Sequence, residues 1–199
     1  MNVLSTMDIC ILMKELSNKD PYTFEHSYRV MELAVDFAKH LNLSRAEIKL
    51  IKVGSLLHDI GKIKIDASIL TKTSSLTKGE FTSMQLHTLY GAEILAAYSF
   101  ENDIIEMALY HHERWNGKGY PHQLSDNQIP FYARLLGLID SIEAMTGKRP
   151  YRQPLSWHTA LKEIEAGIGT LYDPFLANEC IQWMQIYEEN FKPAQHSLD

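Results

Sequence analysis

Apolar residues recur along this chain at spacings of three and four, and no stretch shows a convincing period of two. Ile9, Leu12, Met13 and Leu16 share one face of a short first helix. Asp20 followed by Pro21 has the form of an N-cap with proline at the first helical position. The stripe Val30, Leu33, Ala34, Phe37 and Leu41 follows, and Asn42 is placed to end that helix. Ser44 and Glu47 have capping-box spacing ahead of a third helix, which carries Ile48, Ile51 and Leu57 towards His58 and Asp59. Gly61 is expected to interrupt that helix or its end. Thr77 and Glu80 repeat the capping-box spacing before Phe81, Met84 and His87, and a further helix is expected from about Leu89 through Tyr98. Asn102 or Asp103 can cap the next segment, whose Ile104, Ile105, Ala108 and Leu109 lead into His111 and His112. The stretch WNGKGYPHQLSDNQIP is too dense in Gly, Pro and Asn to be anything but loop. Helical patterning resumes from Pro130 to about Met145, from Leu155 to about Ala166, and from Pro174 to about Tyr187 behind Asp173. The pattern predicts an all-α, multi-helix domain with one long functional loop.

Polar residues interrupt these stripes at particular places. His26 lies one turn before Val30 on the buried face, and His58 with Asp59 closes the third helix. His87 falls on the Met84 side of its helix, and His111 and His112 end another just before the glycine loop. Asp140 sits mid-helix among Ala133, Gly137 and Ala144, small residues that leave room for something to approach it. Each of these has an ordinary explanation when taken alone. A single histidine on an apolar face is more often a hydrogen-bonded core residue than a ligand. Asp59 could be a solvated acid at a helix end, and Asp140 could pair with Arg134 or Lys148. Together they are too costly: an unpaired buried charge costs several kcal/mol, and a buried polar group lacking a partner about 1–3 kcal/mol. Divalent metal ions offset that cost. Imidazoles with carboxylates suit Fe, Mn, Ni, Co or Zn, and the absence of thiolate argues against a structural zinc site. His40, His122, His158 and His196 have no such company and are assigned no role; His40, near a helix C-terminus, is explained by the helix dipole.

Composition narrows the classes further. The 199 residues are 45% apolar and 22% charged, as in an ordinary globular protein. Nineteen Lys and Arg against 25 Asp and Glu give a formal charge of −6, which disfavours a nucleic-acid polymer or a polybasic membrane contact. Two cysteines, Cys10 and Cys180, make neither a disulfide scaffold nor a cysteine zinc finger and fit a reducing compartment. The N-terminus shows no basic leader, and its longest strictly apolar run, Ile9 to Met13, is too short for a signal peptide or a membrane span. The expectation is a soluble cytoplasmic protein with no linker that would split it. Nine histidines are the unusual feature of the composition.

Two motifs then resemble a known family. LLHDIGKI at Leu56 to Ile63 resembles the His-Asp doublet of the HD phosphohydrolase superfamily, and HHERWNGKGYP at His111 to Pro121 resembles the second motif of its HD-GYP subfamily. RPYR at Arg149 to Arg152, after Asp140, agrees with it. The similarity runs from about Lys19 to near Tyr187, which suggests a helical extension over 1–19, an HD-GYP domain over 20–190 and a tail over 191–199. HD-GYP domains are bacterial metal-dependent phosphodiesterases that linearise cyclic di-GMP, and some act on related cyclic dinucleotides.

By position, the resemblance implies that His26, His58, Asp59 and Asp140 hold one divalent metal. His87, His111 and His112 hold a second, with Asp59 bridging; Fe or Mn lead, and Ni, Co or Zn are alternatives. Asp59 and Lys62 are the implied catalytic residues. Lys62, Arg149 and Arg152 are the implied substrate contacts, adding local positive charge that the net −6 lacks. Gly117, Gly119, Tyr120 and Pro121 form the loop that names the subfamily, with a role in loop shape and partner contact. Three positions depart from the family pattern: Tyr22 replaces a Glu associated with a third metal, Asn116 replaces an Asp in the second motif, and Glu143 replaces the Asp three residues after the ligand Asp. None removes an implied ligand.

The implied reaction is hydrolysis of cyclic di-GMP to linear pGpG, to GMP or to both, by a hydroxide held between the metals. No Ser or Cys is placed to form a covalent intermediate. The alternative is a weakly active or inactive module that senses cyclic di-GMP or docks a protein partner through the GYP loop. A generic mononucleotidase needs neither His111-His112 nor that loop. The resemblance leaves open a homodimer, for which the first 19 residues are one candidate element, although they could equally belong to the core.

Overall fold

The computed structural model describes residues 6–147 and 153–191. Their order is α1 (Thr6–Lys19), α2 (Pro21–His40), α3 (Arg45–Leu57), a 3-10 turn (Ile60–Lys64), α4 (Ala67–Leu70), α5 (Lys78–Gln85), α6 (His87–Ala97) and α7 (Asn102–Tyr110). A long loop with a 3-10 turn (Asp126–Gln128) leads to α8 (Phe131–Thr146), α9 (Trp157–Gly167) and α10 (Pro174–Phe191). Among the described residues β-pairing is limited to isolated bridges, Asn116 with Ser125 and Ile168 with Tyr172. The all-α expectation holds.

Local chemistry accounts for most of the helix boundaries. Asp20 Oδ1 accepts from the backbone N–H groups of Tyr22 and Thr23, at 3.1 and 3.2 Å, so it caps α2 ahead of Pro21. Both capping boxes close: Ser44 with Glu47 at α3, and Thr77 with Glu80 at α5. Asn42, with φ of 55°, takes the left-handed conformation just past α2 that stops a helix. Two boundaries differ from expectation. Glu101, not Asn102 or Asp103, occupies the cap position of α7 and makes no side-chain cap; Asn102 Nδ2 donates to Glu106 Oε1 at 2.7 Å instead. The break between α5 and α6 falls at Leu86, so His87 opens α6 rather than riding on the preceding helix.

Two hydrophobic cores share the helices. One gathers Val30, Ala34, Phe37, Leu135, Ile139, Ile164, Leu176 and Trp183 from α2, α8, α9 and α10. The other gathers Leu12, Leu16, Leu57, Leu95 and Ile104 from α1, α3, α6 and α7. Leu12, Met13 and Leu16 of α1 are fully packed inside. Helices α3 and α7 contribute to both cores, through Ile51 and Met107 to the first and through Leu57 and Ala108 to the second. The C-terminal ends of these two shared helices are where His58 and His111 stand. No helix among the described residues is long and apolar enough to cross a membrane.

Candidate metal centre

Five imidazoles and two aspartates meet where the two cores adjoin. His26, His58, Asp59, His87 and His111 are all buried. Three groups of ligand atoms lie within 4.8 Å of one another: His87 with His111 and His112, His26 with His58 and Asp140, and His58 with Asp59 and His111. Asp59 links them, with Oδ1 at 3.3 Å from His87 Nε2 and Oδ2 at 3.4 Å from His58 Nε2 and 3.8 Å from His26 Nε2. His26 Nε2 is also 3.0 Å from Asp140 Oδ1.

Helix ends orient three of the rings. The last carbonyls of a helix have no intrahelical donor. His58 Nδ1–H donates to Ser55 O at 2.7 Å in the last turn of α3. His111 Nδ1–H donates to Ala108 O at 3.0 Å in the last turn of α7. His87 Nδ1–H donates to Met84 O at 2.7 Å in the last turn of α5. A neutral ring that donates from Nδ1 carries its lone pair on Nε2, and the Nε2 atoms of these three rings face inward.

The inward-facing atoms test whether metal ions fit. His87 Nε2 and His111 Nε2 approach to 3.5 Å with neither able to donate. His58 Nε2 and Asp59 Oδ1 are buried without a hydrogen-bond partner. Burial pushes the pKa of His87 down, and burial with neighbouring His112 pushes His111 well down, so these rings are neutral donors. Burial and His87 take His112 down to about 3. Burial would raise the Asp59 carboxyl, but Lys62 and the surrounding histidines hold it well below its usual range. Asp140 is held low against burial by its hydrogen bond to His26. The neutral rings of His87, His111 and His112, the ionised carboxylates and the unpartnered inward atoms of His58 and Asp59 form a donor set that fits divalent cations.

Glycines permit the close approach. A Cβ on Gly61 would lie 1.9 Å from His87 O, and one on Gly137 would lie 2.4 Å from His111 O. The room left by small residues around Asp140 is therefore used, at Gly137, by the backbone of His111. Asp140 does not pair with Arg134, which bonds Asp173 and Asn127 instead; Lys148 lies outside the described residues.

Lys62 Nζ donates to Asp59 Oδ2 at 2.6 Å, so it stands at the edge of the cluster. In the glycine loop, Gly117 takes φ of +72°, and a Cβ on Gly119 would meet His112 O, Glu113 Cα and Arg114 N at 2.5 Å. Gly119 thus seats the loop on the chain that carries the histidine pair. Tyr120 lies against His112, ring centroids 4.8 Å apart, and precedes a cis peptide to Pro121. A cavity of about 330 Å³ adjoins His111 and His112, with Trp115, Tyr120 and Tyr172 in its wall. Arg149, Arg152 and His196 lie outside the described residues. His40 is 3.6 Å from Glu179, while His122 and His158 are exposed; none of the three joins the cluster.

Glu143 is the residue whose part was missed. It is 1% exposed, and its Oε2 accepts from His26 Nδ1 at 2.5 Å while its Oε1 accepts from Arg29 Nε at 2.5 Å. Against burial, the hydrogen bonds to Asp140 and Glu143 raise the His26 pKa to about 9. The sequence shows only the spacing, Glu143 three residues after Asp140 and Arg29 three after His26, each one turn along its helix; that the two steps face each other is set by the packing of α2 on α8.

A helical domain that converges imidazoles and aspartates from separate helices on one buried point defines a His-Asp metal-binding fold of the phosphohydrolase type. The chain belongs to the HD domain family, whose model matches residues 10–176, and it carries the HD-GYP second motif at His111 to Pro121. It is 40% identical over 161 residues to a cyclic di-GMP phosphodiesterase of Thermotoga maritima, covering 78% of this chain and 43% of that protein. It is 31% identical over 186 residues to 3'3'-cGAMP-specific phosphodiesterase 3 of Vibrio cholerae, covering 94% of this chain and 40% of that protein. Its fold matches the solved structure of an HDG"Y"P protein from Bdellovibrio bacteriovorus with a TM-score of 0.66 at 18% identity, over 81% of this chain and 52% of that one. The chain spans less than half the length of the curated relatives it matches.

Proposed function

We propose that this chain is a metal-dependent phosphodiesterase that hydrolyses cyclic di-GMP to linear pGpG, to GMP or to both. The observation that carries the proposal is the joining of two inward-facing donor groups through one carboxylate, Asp59, with Lys62 beside it. His26, His58 and Asp140 would hold one divalent ion and His87, His111 and His112 the other, with Asp59 shared. Fe or Mn suits this nitrogen and oxygen set, and Ni, Co or Zn is also accommodated. When bound, such ions supply a nucleophile at neutral pH and Lewis acidity at the phosphoryl oxygens.

The chain's own residues do the rest. Asp59 and Asp140 stay ionised in the buried site. The helix-end carbonyls keep three imidazoles in the donor tautomer. Lys62 places a positive charge at the edge of the cluster, where it can meet a phosphate oxygen. Arg149 and Arg152 are assigned the flanking phosphates. Flat rings at Trp115, Tyr120 and Tyr172 border the cavity beside the histidine pair and offer surfaces on which a base can stack. Such a substrate places the work in the cytoplasm. Further partners proposed are a protein at the GYP loop and a second copy of the chain.

The test is a chromatographic assay of products from cyclic di-GMP and 3'3'-cGAMP on anaerobically purified protein, with metal content measured on the same sample. The expected result is two ions per chain and conversion of cyclic di-GMP. Intact cyclic di-GMP with both ions bound would overturn the assigned activity and favour the nucleotide-sensing alternative.

A further inference from the structure

We infer that Glu143, clamped by Arg29, is the positioning residue for His26 and that this pair governs how tightly one of the two proposed ions is held. The inference rests on the two-ion reading above and goes beyond it by assigning a role to two side chains that are not ligands.

The need arises from where His26 stands. It lies well inside α2, with helix on both sides, so the nearby carbonyls are already taken by the helix's own N–H groups. The other oriented rings use carbonyls left free at helix ends; His26 has none within reach and must be fixed by a side chain. Glu143 meets that need from the facing helix α8, accepting from His26 Nδ1 at 2.5 Å. A carboxylate behind an imidazole locks the tautomer with Nε2 as the donor atom and increases that atom's basicity.

Glu143 is itself buried, and an unpaired carboxylate there would cost several kcal/mol. Arg29 removes the problem by donating Nε–H to the second oxygen at 2.5 Å. The geometry is a pair of matched steps: His26 and Arg29 are one turn apart on α2, and Asp140 and Glu143 are one turn apart on α8. His26 thereby meets a carboxylate at each nitrogen, Asp140 at 3.0 Å and Glu143 at 2.5 Å. Each Glu143 oxygen is committed to a different partner, His26 to one and Arg29 to the other. An aspartate, one methylene shorter, would have to give up either His26 or Arg29.

The experiment is a titration of the metal-free full chain with Mn(II), followed by electron paramagnetic resonance of the free ion, on wild type, Glu143→Gln, Glu143→Asp and Arg29→Gln. Wild type should give two sites. Glu143→Gln should weaken one site by about 10–100-fold and leave the other within about threefold. Arg29→Gln should weaken the same site by a smaller factor, and Glu143→Asp should fall between wild type and Glu143→Gln. Helical circular dichroism checks each variant for folding, and Arg29→Gln carries the test if a Glu143 variant fails it, since it keeps every ligand and Glu143 itself. Two sites of wild-type affinity in folded Glu143→Gln and Arg29→Gln would overturn the inference, as would an equal weakening of both sites. A wild type that binds no Mn(II) at either site would instead overturn the two-ion reading, so the two failures are told apart.

Discussion

The same side chain is fixed in two different ways at the two ends of this site. At one end, His87 and His111 stand at helix boundaries and are oriented by backbone carbonyls, Met84 O and Ala108 O. At the other, His26 and Asp140 stand inside long helices, and His26 is oriented by the Glu143 carboxylate. His58 belongs to the first kind by construction, through Ser55 O, although it faces His26 and Asp140. The difference follows from hydrogen-bond supply: the last turn of a helix has carbonyls to spare and its middle does not. Backbone-held rings cannot be disturbed by trimming a neighbouring side chain, only by moving the backbone. Side-chain-held rings have the opposite weakness.

Asp59 is the carboxylate that reaches both ends, and its replacement should erase the contrast altogether. Asp59→Ala removes the shared carboxylate and leaves Lys62 without its 2.6 Å partner in a buried cluster of imidazoles. Metal analysis should show loss of both proposed ions, and the proposed cyclic di-GMP turnover should fall by at least about 10³-fold, equivalent to some 4 kcal/mol. Retention of one ion at wild-type affinity would show that the ends are independent.

Glycine substitutions should single out the backbone-held end. In Gly61→Ala the new Cβ would sit 1.9 Å from His87 O, and in Gly137→Ala 2.4 Å from His111 O, so the carbonyl-bearing backbone must shift in each case. Overpacking of this kind costs about 1–3 kcal/mol, which in a chain of this size lowers Tm by about 2–4 °C per kcal/mol. Binding of the ion proposed for His87, His111 and His112 should weaken with it. Gly79→Ala is the control: its Cβ meets nothing within 4 Å and α5 should be unchanged or slightly more stable. Equal behaviour of all three variants in calorimetry and metal titration would break the assignment of a backbone-held end.

These contrasts mark where sequence reasoning runs out. Helix periodicity, the Asp20 cap, both capping boxes and Asn42 were legible because each is a signal contained within a few consecutive residues. The gathering of His26, His58, Asp59, His87, His111, His112 and Asp140 was legible by another route, because buried polar residues on apolar stripes and the two motifs pointed to one site. The break at Leu86 was not: the stretch from Thr77 to Tyr98 has apolar residues enough for either continuation, and tertiary packing decides. Glu143 stood out only as a departure from the family pattern. Its part depends on how α2 and α8 face each other, a relation between positions 117 residues apart that no local pattern encodes.

The smallest expected effect lies outside the ligands, at the start of the helix whose end holds His87. Glu80 closes the α5 capping box and accepts from Lys72 Nζ through both oxygens, at 2.7 and 2.6 Å. Its pKa is lowered from 4.5 to about 2, first by the Lys72 hydrogen bond and then by Thr77. A carboxyl depressed by folding stabilises the protein fully above its unfolded pKa and loses that contribution as pH falls through the folded one. The stabilisation from Glu80 should therefore be complete above pH 4.5 and fade towards about pH 2. Glu80→Gln should have the lower Tm at pH 6, with the gap from wild type narrowing across that window as the wild-type carboxyl takes up its proton. Because Glu80 lies at the surface and is only partly covered, the gap should be smaller than that of either glycine variant. Since α5 carries Met84 O, the pH 6 defect should also show as faster hydrogen exchange at the α5–α6 junction than at α2 or α8. A gap independent of pH would mean that the cap, and not the charge, is what Glu80 contributes.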